Sequence, residues 1–120
     1  MHKYTATKSA KMSCSVVGIR GYSGVETARL LLQHPRAHLT HGFATSEFQL
    51  SSYLNSAAAK QVVCLPDTKL MENLTDVVFL ATPAEVSLKL APPILAAGKK
   101  IIDLSGAFRL KKNDYMKWYG

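Results

Sequence analysis

Apolar and polar positions alternate between two kinds of run along the 120 residues, and each kind predicts an element. "CSVVGI" at 14–19 is short, apolar and β-branched, which predicts a buried strand. The next segment changes period: Val25, Ala28, Leu31 and Leu32 fall on one face of a helix predicted over 22–34. Ser23 and Glu26 have the spacing of a capping box at its start. Pro35 ends it, because the residue before a proline is pushed out of the α region. "AHLTHGFAT" at 37–45 predicts a second strand. Residues 46–60 carry no clear period and read as a loop or as a short helix around Ser56–Lys60. "QVVCL" at 61–65 predicts a brief strand, stopped by Pro66 and Asp67.

"DVVFLA" at 76–81 is apolar without alternation, the pattern of a strand covered on both faces. A helix is predicted over 84–97, with Leu88, Ala91 and Leu95 as its inner stripe. Pro92 and Pro93 are expected to break or divide it, and Gly98 to close it. "KKIIDLS" at 99–105 predicts the last strand, and 106–120 reads as an exposed loop. The strand–helix–strand order with unpatterned strands implies an α/β class, a doubly wound and mostly parallel sheet. In such sheets ligands bind off the carboxyl ends of the strands. The segments there, "GIRGYSG", "TSEF", "TPAEVS" and "SGAFR", are rich in small and hydrogen-bonding residues. Residues 1–13 are expected to be a flexible tail and 14–120 one domain.

Composition narrows the class without deciding it. Apolar residues make up 48% and charged ones 19%, as in a globular chain, and no apolar run approaches the roughly 20 residues of a membrane span. The formal charge of +7 sits mostly toward the two ends: Lys3, Lys8 and Lys11, then Arg109, Lys111, Lys112 and Lys117. No dense basic stripe with interleaved aromatics follows from it, so nucleic acid is not the expected partner. An anionic small ligand accounts for the balance equally well. Cys14 and Cys64 have neither zinc nor disulfide spacing and read as small buried hydrophobes. His34 is placed at a helix end and His38 and His41 flanking a strand, so no metal site is expected.

Chemistry enters with Gly18, Gly21 and Gly24, spaced three apart between a buried strand and a helix. They can merely turn the chain and let helix and strand pack closely. They can also leave the first amides of the helix pointing at a pyrophosphate, whose charge the helix dipole favours. The spacing is G-x-x-G-x-x-G rather than G-x-G-x-x-G, and at these residues the chain resembles a known family. "GIRGYSGVETARLLLQHP", "VVFLATPAEVS", "LAPPILAAGKKIIDLSGAFRL" and "YMKWYG" are similar, in order, to blocks of the N-acetyl-γ-glutamyl-phosphate reductases. The block "DLSGAFRL…WYG" is the specific part; aspartate-semialdehyde dehydrogenases share the glycine loop and the fold but not that block.

The resemblance implies a Rossmann-like dinucleotide-binding domain that uses NADPH to reduce a small-molecule acyl phosphate to an aldehyde. By matching position, Gly18, Gly21, Tyr22, Ser23 and Gly24 face the pyrophosphate. Thr45 and Ser46 lie near the adenosine ribose, and Ala81, Thr82 and Pro83 line the cofactor groove. Ser105 and Arg109 fall on the substrate side. Each has a plainer alternative: Thr82 and Ser105 as caps or turns, Arg109 as a surface charge. A homo-oligomeric full-length protein in the cytoplasm is expected. The catalytic cysteine and histidine of the family lie downstream of the W-Y-G block. No residue of these 120 is therefore expected to be catalytic, and the chain alone is expected to be inactive, a nucleotide-binding or regulatory fragment being the alternative.

Three positions depart from the family pattern. Ile19 and Arg20 replace the usual small residues between the first two glycines, and Glu47 follows Ser46 where many relatives carry arginine. Arg20 can reach an adenosine 2′-phosphate or point to solvent. With no acid directly at the end of the second strand, Thr45, Ser46 and Arg20 favour NADP over NAD. Glu47 is the acceptor to suspect if the preference is reversed.

Overall fold

The computed structural model describes residues 11–46 and 48–105. Five strands alternate with two helices: β1 Met12–Val17, α1 Tyr22–Leu32, β2 Ala37–Ala44, β3 Val63–Pro66, β4 Val77–Leu80, α2 Ala84–Ala96 and β5 Lys100–Asp103. They form one sheet in the order β3-β2-β1-β4-β5, and every pair is parallel. The doubly wound parallel expectation is met. The ambiguous 46–60 stretch contains two short 3₁₀ turns, Leu50–Ser52 and Ala58–Gln61, and the brief third strand exists one or two residues later than its sequence suggests.

β1 is the middle strand, and its consecutive residues feed opposite cores, because side chains alternate across a sheet. Val16 packs with Ile19, Ala28, Leu31 and Leu39 on the face covered by α1. Val17 packs with Phe43, Val78, Leu80, Ala91 and Ile94 on the face covered by α2. Leu39 and Phe43 would share a face in a regular strand, yet they lie in different cores. The register explains it: Cys14 pairs with Leu39 but Ser15 with His41, so Thr40 is an extra residue in β2 that reverses the alternation. The Thr40 hydroxyl donates to the Cys14 carbonyl across this bulge at 3.3 Å.

Both helices correct the sequence reading. The N-cap of α1 is Gly21 and no side chain caps it, so Ser23 lies inside the first turn and the expected capping box does not form. The cause is the glycine turn, in which Gly21 N–H bonds back to the Gly18 carbonyl at 3.1 Å and places the N-cap two residues before Ser23. Glu26 pairs with Arg29 instead, at 2.5 Å, and this partner holds its carboxyl below the usual range. The helix ends at Leu32 rather than 34 and buries Gly24, Ala28 and Leu31.

In α2 the buried stripe is Ser87, Ala91 and Ile94, while Leu88 and Leu95 are 49% and 56% exposed. The phase is set by Ser87, whose hydroxyl shares a hydrogen bond with that of Thr82 at 2.7 Å. Pro92 and Pro93 do not divide the helix. With Ala91 and Ile94 inward, both prolines fall on the solvent side, so the carbonyls of Leu88 and Lys89, deprived of their amide donors, face water. His38 and His41 lie within β2 rather than flanking it, and His41 stacks on Phe43 with ring centroids 6.0 Å apart.

Candidate functional site

The parallel strands end nearly level. Val17 of β1 is paired with Phe43 of β2 and Leu80 of β4, and Ala44 of β2 with Pro66 of β3. The residues that follow, Gly18, Thr45, Asp67 and Ala81, therefore stand along one carboxyl edge. At that edge lies a cavity of about 330 Å³, within the size range of small-molecule sites.

Gly18 makes the first wall. Its φ is +81°, and a Cβ on it would sit 2.3 Å from the Ala81 carbonyl oxygen. Only glycine allows the β1–α1 loop to lie this close to the β4–α2 loop. The Gly18 and Ile19 amides both donate to the Phe43 carbonyl, at 2.9 and 3.1 Å, which ties the loop to β2. Gly24 serves packing: a Cβ there would be 2.1 Å from the Gly18 oxygen. At Gly21 it would meet only that same oxygen, at 3.4 Å, an ordinary contact. Gly21 therefore faces open space at the start of α1. No acid occupies the first turn, so the unsatisfied amides and the positive end of the helix dipole are uncompensated there.

Arg20 projects from the same loop toward the end of β2. Its Nε donates to the Tyr53 hydroxyl at 3.2 Å, and its Nη1 donates to the Ser46 hydroxyl. Ala81, Thr82 and Pro83 form the facing wall, with Thr82 anchored by Ser87. The floor includes Asp67, whose Oδ1 is shielded from solvent and accepts no hydrogen bond among the described residues. Burial pushes its carboxyl above the usual range.

Of the residues expected from the sequence, the cavity gathers Gly18, Arg20, Gly21, Thr45, Ala81, Thr82 and Pro83. Ser46 lies outside its lining but is held by Arg20. Tyr22 is 91% exposed, Ser23 is exposed, and Gly24 is buried beneath the loop. Ser105 turns the chain after β5, its amide and hydroxyl both donating to Asp103 Oδ1 at 3.0 and 2.7 Å. Arg109, Glu47 and the W-Y-G block lie outside the described residues.

Ala44, Asp67 and Val86 also line the cavity and are not among the residues expected from the sequence. Asp67 was detectable, since it directly follows β3 and the carboxyl-edge rule applies to that strand as to the others. Neither cysteine suits nucleophilic chemistry: burial raises both thiols, and Cys14 lies near the amino end of β1, away from the cavity.

The sequence profile described as semialdehyde dehydrogenase, NAD binding domain, matches residues 13–118. A relative from Listeria innocua named N-acetyl-γ-glutamyl-phosphate reductase is 37% identical over 115 residues, covering 91% of this chain and 33% of its own length. Another of that name, from Bacillus cytotoxicus, is 40% identical over 113 residues, with 90% and 33% covered. The chain thus spans about a third of these relatives. In three dimensions it is similar to an aspartate semialdehyde dehydrogenase from Candida albicans, solved with NADP, with a TM-score of 0.63 at 18% identity. That likeness covers 78% of this chain and 29% of the other, and it shows the shared fold. The match over 13–118, together with the parallel sheet and its glycine-walled edge, establishes that this chain belongs to the semialdehyde dehydrogenase NAD-binding domain family.

Proposed function

We propose that the chain is the NADPH-binding part of an oxidoreductase that reduces N-acetyl-γ-glutamyl phosphate to the semialdehyde, releasing phosphate, in arginine biosynthesis. The cofactor part of the reading rests on the edge cavity, where a loop position that only Gly18 can fill, an uncapped helix start and Arg20 meet; the reaction is the one the name of the relatives implies. These residues fit a dinucleotide. The backbone at Gly18 and Gly21 leaves room for a pyrophosphate, and the free amides of α1 match its charge. Thr45 and Ser46 supply hydroxyls beside the ribose, and Arg20, braced by Tyr53 and Ser46, supplies a cation for a 2′-phosphate. When bound, the cofactor contributes hydride. The chain's own residues bind and orient it.

The test is calorimetric titration of the chain with NADPH and NADH. NADPH is expected to bind at least tenfold more tightly, and Arg20→Ala to remove most of that difference. Equal or tighter NADH binding would refute the NADPH assignment. The acyl-transfer step needs a thiolate to attack the acyl carbon and expel phosphate, leaving a thioester for hydride. With both thiols raised, the chain is expected not to oxidise NADPH in the presence of N-acetylglutamyl phosphate. Turnover that disappears in Cys14→Ala or Cys64→Ala would place the nucleophile here after all.

A further inference from the structure

Asp67 is the only carboxylate among the described residues lining the cavity, and its Oδ1 is both shielded from solvent and without a donor. An unpaired buried acceptor is costly, so its position calls for a donor that no described residue supplies. Arg20, the one cation lining the same cavity among the described residues, is engaged by Tyr53 and Ser46 instead. A ligand in the cavity is placed to bring the donor.

The strand order says which part of a dinucleotide reaches it. β1, β2 and β3 are consecutive in the sheet, and the residues after them stand level. Neighbouring strands lie about 4.8 Å apart, so Asp67 is roughly 10 Å along the edge from the glycine loop. A nucleotide laid along that edge puts phosphate at Gly18 and Gly21, ribose at Thr45 and base at Asp67. An ionised carboxylate only accepts hydrogen bonds. On the exposed edge of adenine the donor is the exocyclic 6-amino group, while the ring nitrogens accept.

We propose that Asp67 accepts a hydrogen bond from the 6-amino group of the cofactor's purine, which makes the cavity selective for a 6-amino over a 6-oxo base. The proposal rests on the cavity being a dinucleotide site.

The experiment titrates the 120-residue chain with NADPH and with its hypoxanthine analogue, in which an oxo group replaces the amino group. NADPH is expected to bind about tenfold to a hundredfold more tightly, since at position 6 the analogue sets an acceptor against the carboxylate, and its own edge donor, N1–H, lies at the neighbouring ring position. In Asp67→Asn the ratio should fall toward one, because an amide can face either base. The thermal midpoint of this variant is expected at or above that of the parent, as an unpaired buried acid has been removed. Equal binding of the two cofactors by the parent would overturn the inference and leave the proposed function standing. So would Asp67→Asn weakening both equally, the result expected if the partner were a ribose hydroxyl. Failure of the parent to bind either would overturn the dinucleotide reading and this inference together.

Discussion

After β1 the chain turns into α1 through Gly18–Gly21, and after β4 it turns into α2 through Ala81–Pro83. The two turns face each other across one cavity and belong to the same strand-to-helix motif. Their chemistry differs. The α2 start, likewise without a side-chain cap, carries an acid: Glu85 offsets the dipole in the first turn, and buried Ser87 binds Thr82. The α1 start is left incomplete, with a glycine N-cap, no side-chain cap and no acid. A shared topology therefore supplies two candidate anion sites, and the sequence closes one of them.

The largest expected effects separate glycines that shape the open turn from the one that fronts it. Gly24→Ala drives a methyl to 2.1 Å from the Gly18 oxygen and 2.8 Å from Ile19 Cα, and Gly18→Ala meets the Ala81 oxygen at 2.3 Å with φ at +81°. Backbone on both sides cannot yield cheaply, so each should lower stability by about 3 kcal/mol or more in denaturant titration. Gly21→Ala should stay within about 1 kcal/mol of the parent, yet weaken NADPH binding. A parent-like midpoint for Gly24→Ala would refute the packing role assigned to it.

A smaller effect tests the closed turn. Ser87→Ala leaves the half-buried Thr82 hydroxyl without this partner and should cost about 1–2 kcal/mol. Ser23→Ala, at the second position of α1, removes an exposed hydroxyl that caps nothing and should be neutral within about 0.5 kcal/mol. Equal losses at the two serines would erase the distinction between the turns.

The smallest effect lies at the opposite edge, where Asp76 and Ser13 join the amino ends of the strands that lead into both turns. Asp76 Oδ2 accepts from the Ser13 amide at 3.2 Å, and the Asp76 amide donates to the Ser13 hydroxyl at 2.9 Å. These bonds, the backbone one foremost and then the Ser13 hydroxyl, with Lys99 adding a little, hold the Asp76 carboxyl below its usual range. A depressed carboxyl contributes stability above its unfolded value, near pH 4, and loses it as pH falls through the folded one. Asp76→Asn should therefore flatten the acid limb of stability below about pH 4. Because the carboxylate is exposed, a full-sized acid limb in that variant would assign acid unfolding to other groups.

What the sequence disclosed was set by how local each cause is. The apolar run at 76–81 predicted a strand because burial on both faces leaves no polar position. The glycine turn was equally local, as its constraint lies in adjacent residues. The phase of α2 was not: Leu88 and Leu95 are more apolar than Ser87, yet Ser87 turns inward with Ala91 and Ile94, where it meets Thr82. The Thr40 bulge, which sorts Leu39 and Phe43 into separate cores, exists only in the pairing with β1. Asp67 joins the site through strand order, since β3 lies beyond β2 in the sheet.

The prolines of α2 have a consequence for the order in which the molecule assembles. Two missing amide donors inside a thirteen-residue helix cost that helix several kcal/mol on its own, and isolated helices of this length are marginal even without proline. α2 therefore has no autonomous existence. It is expected to persist only once the sheet face that receives Ala91 and Ile94 is in place. The wall of the cavity that carries Thr82 and Pro83 is thus expected to form late in folding, templated by the sheet it covers. In a kinetic experiment, substitutions at Ala91 should accelerate unfolding and leave the folding rate nearly untouched.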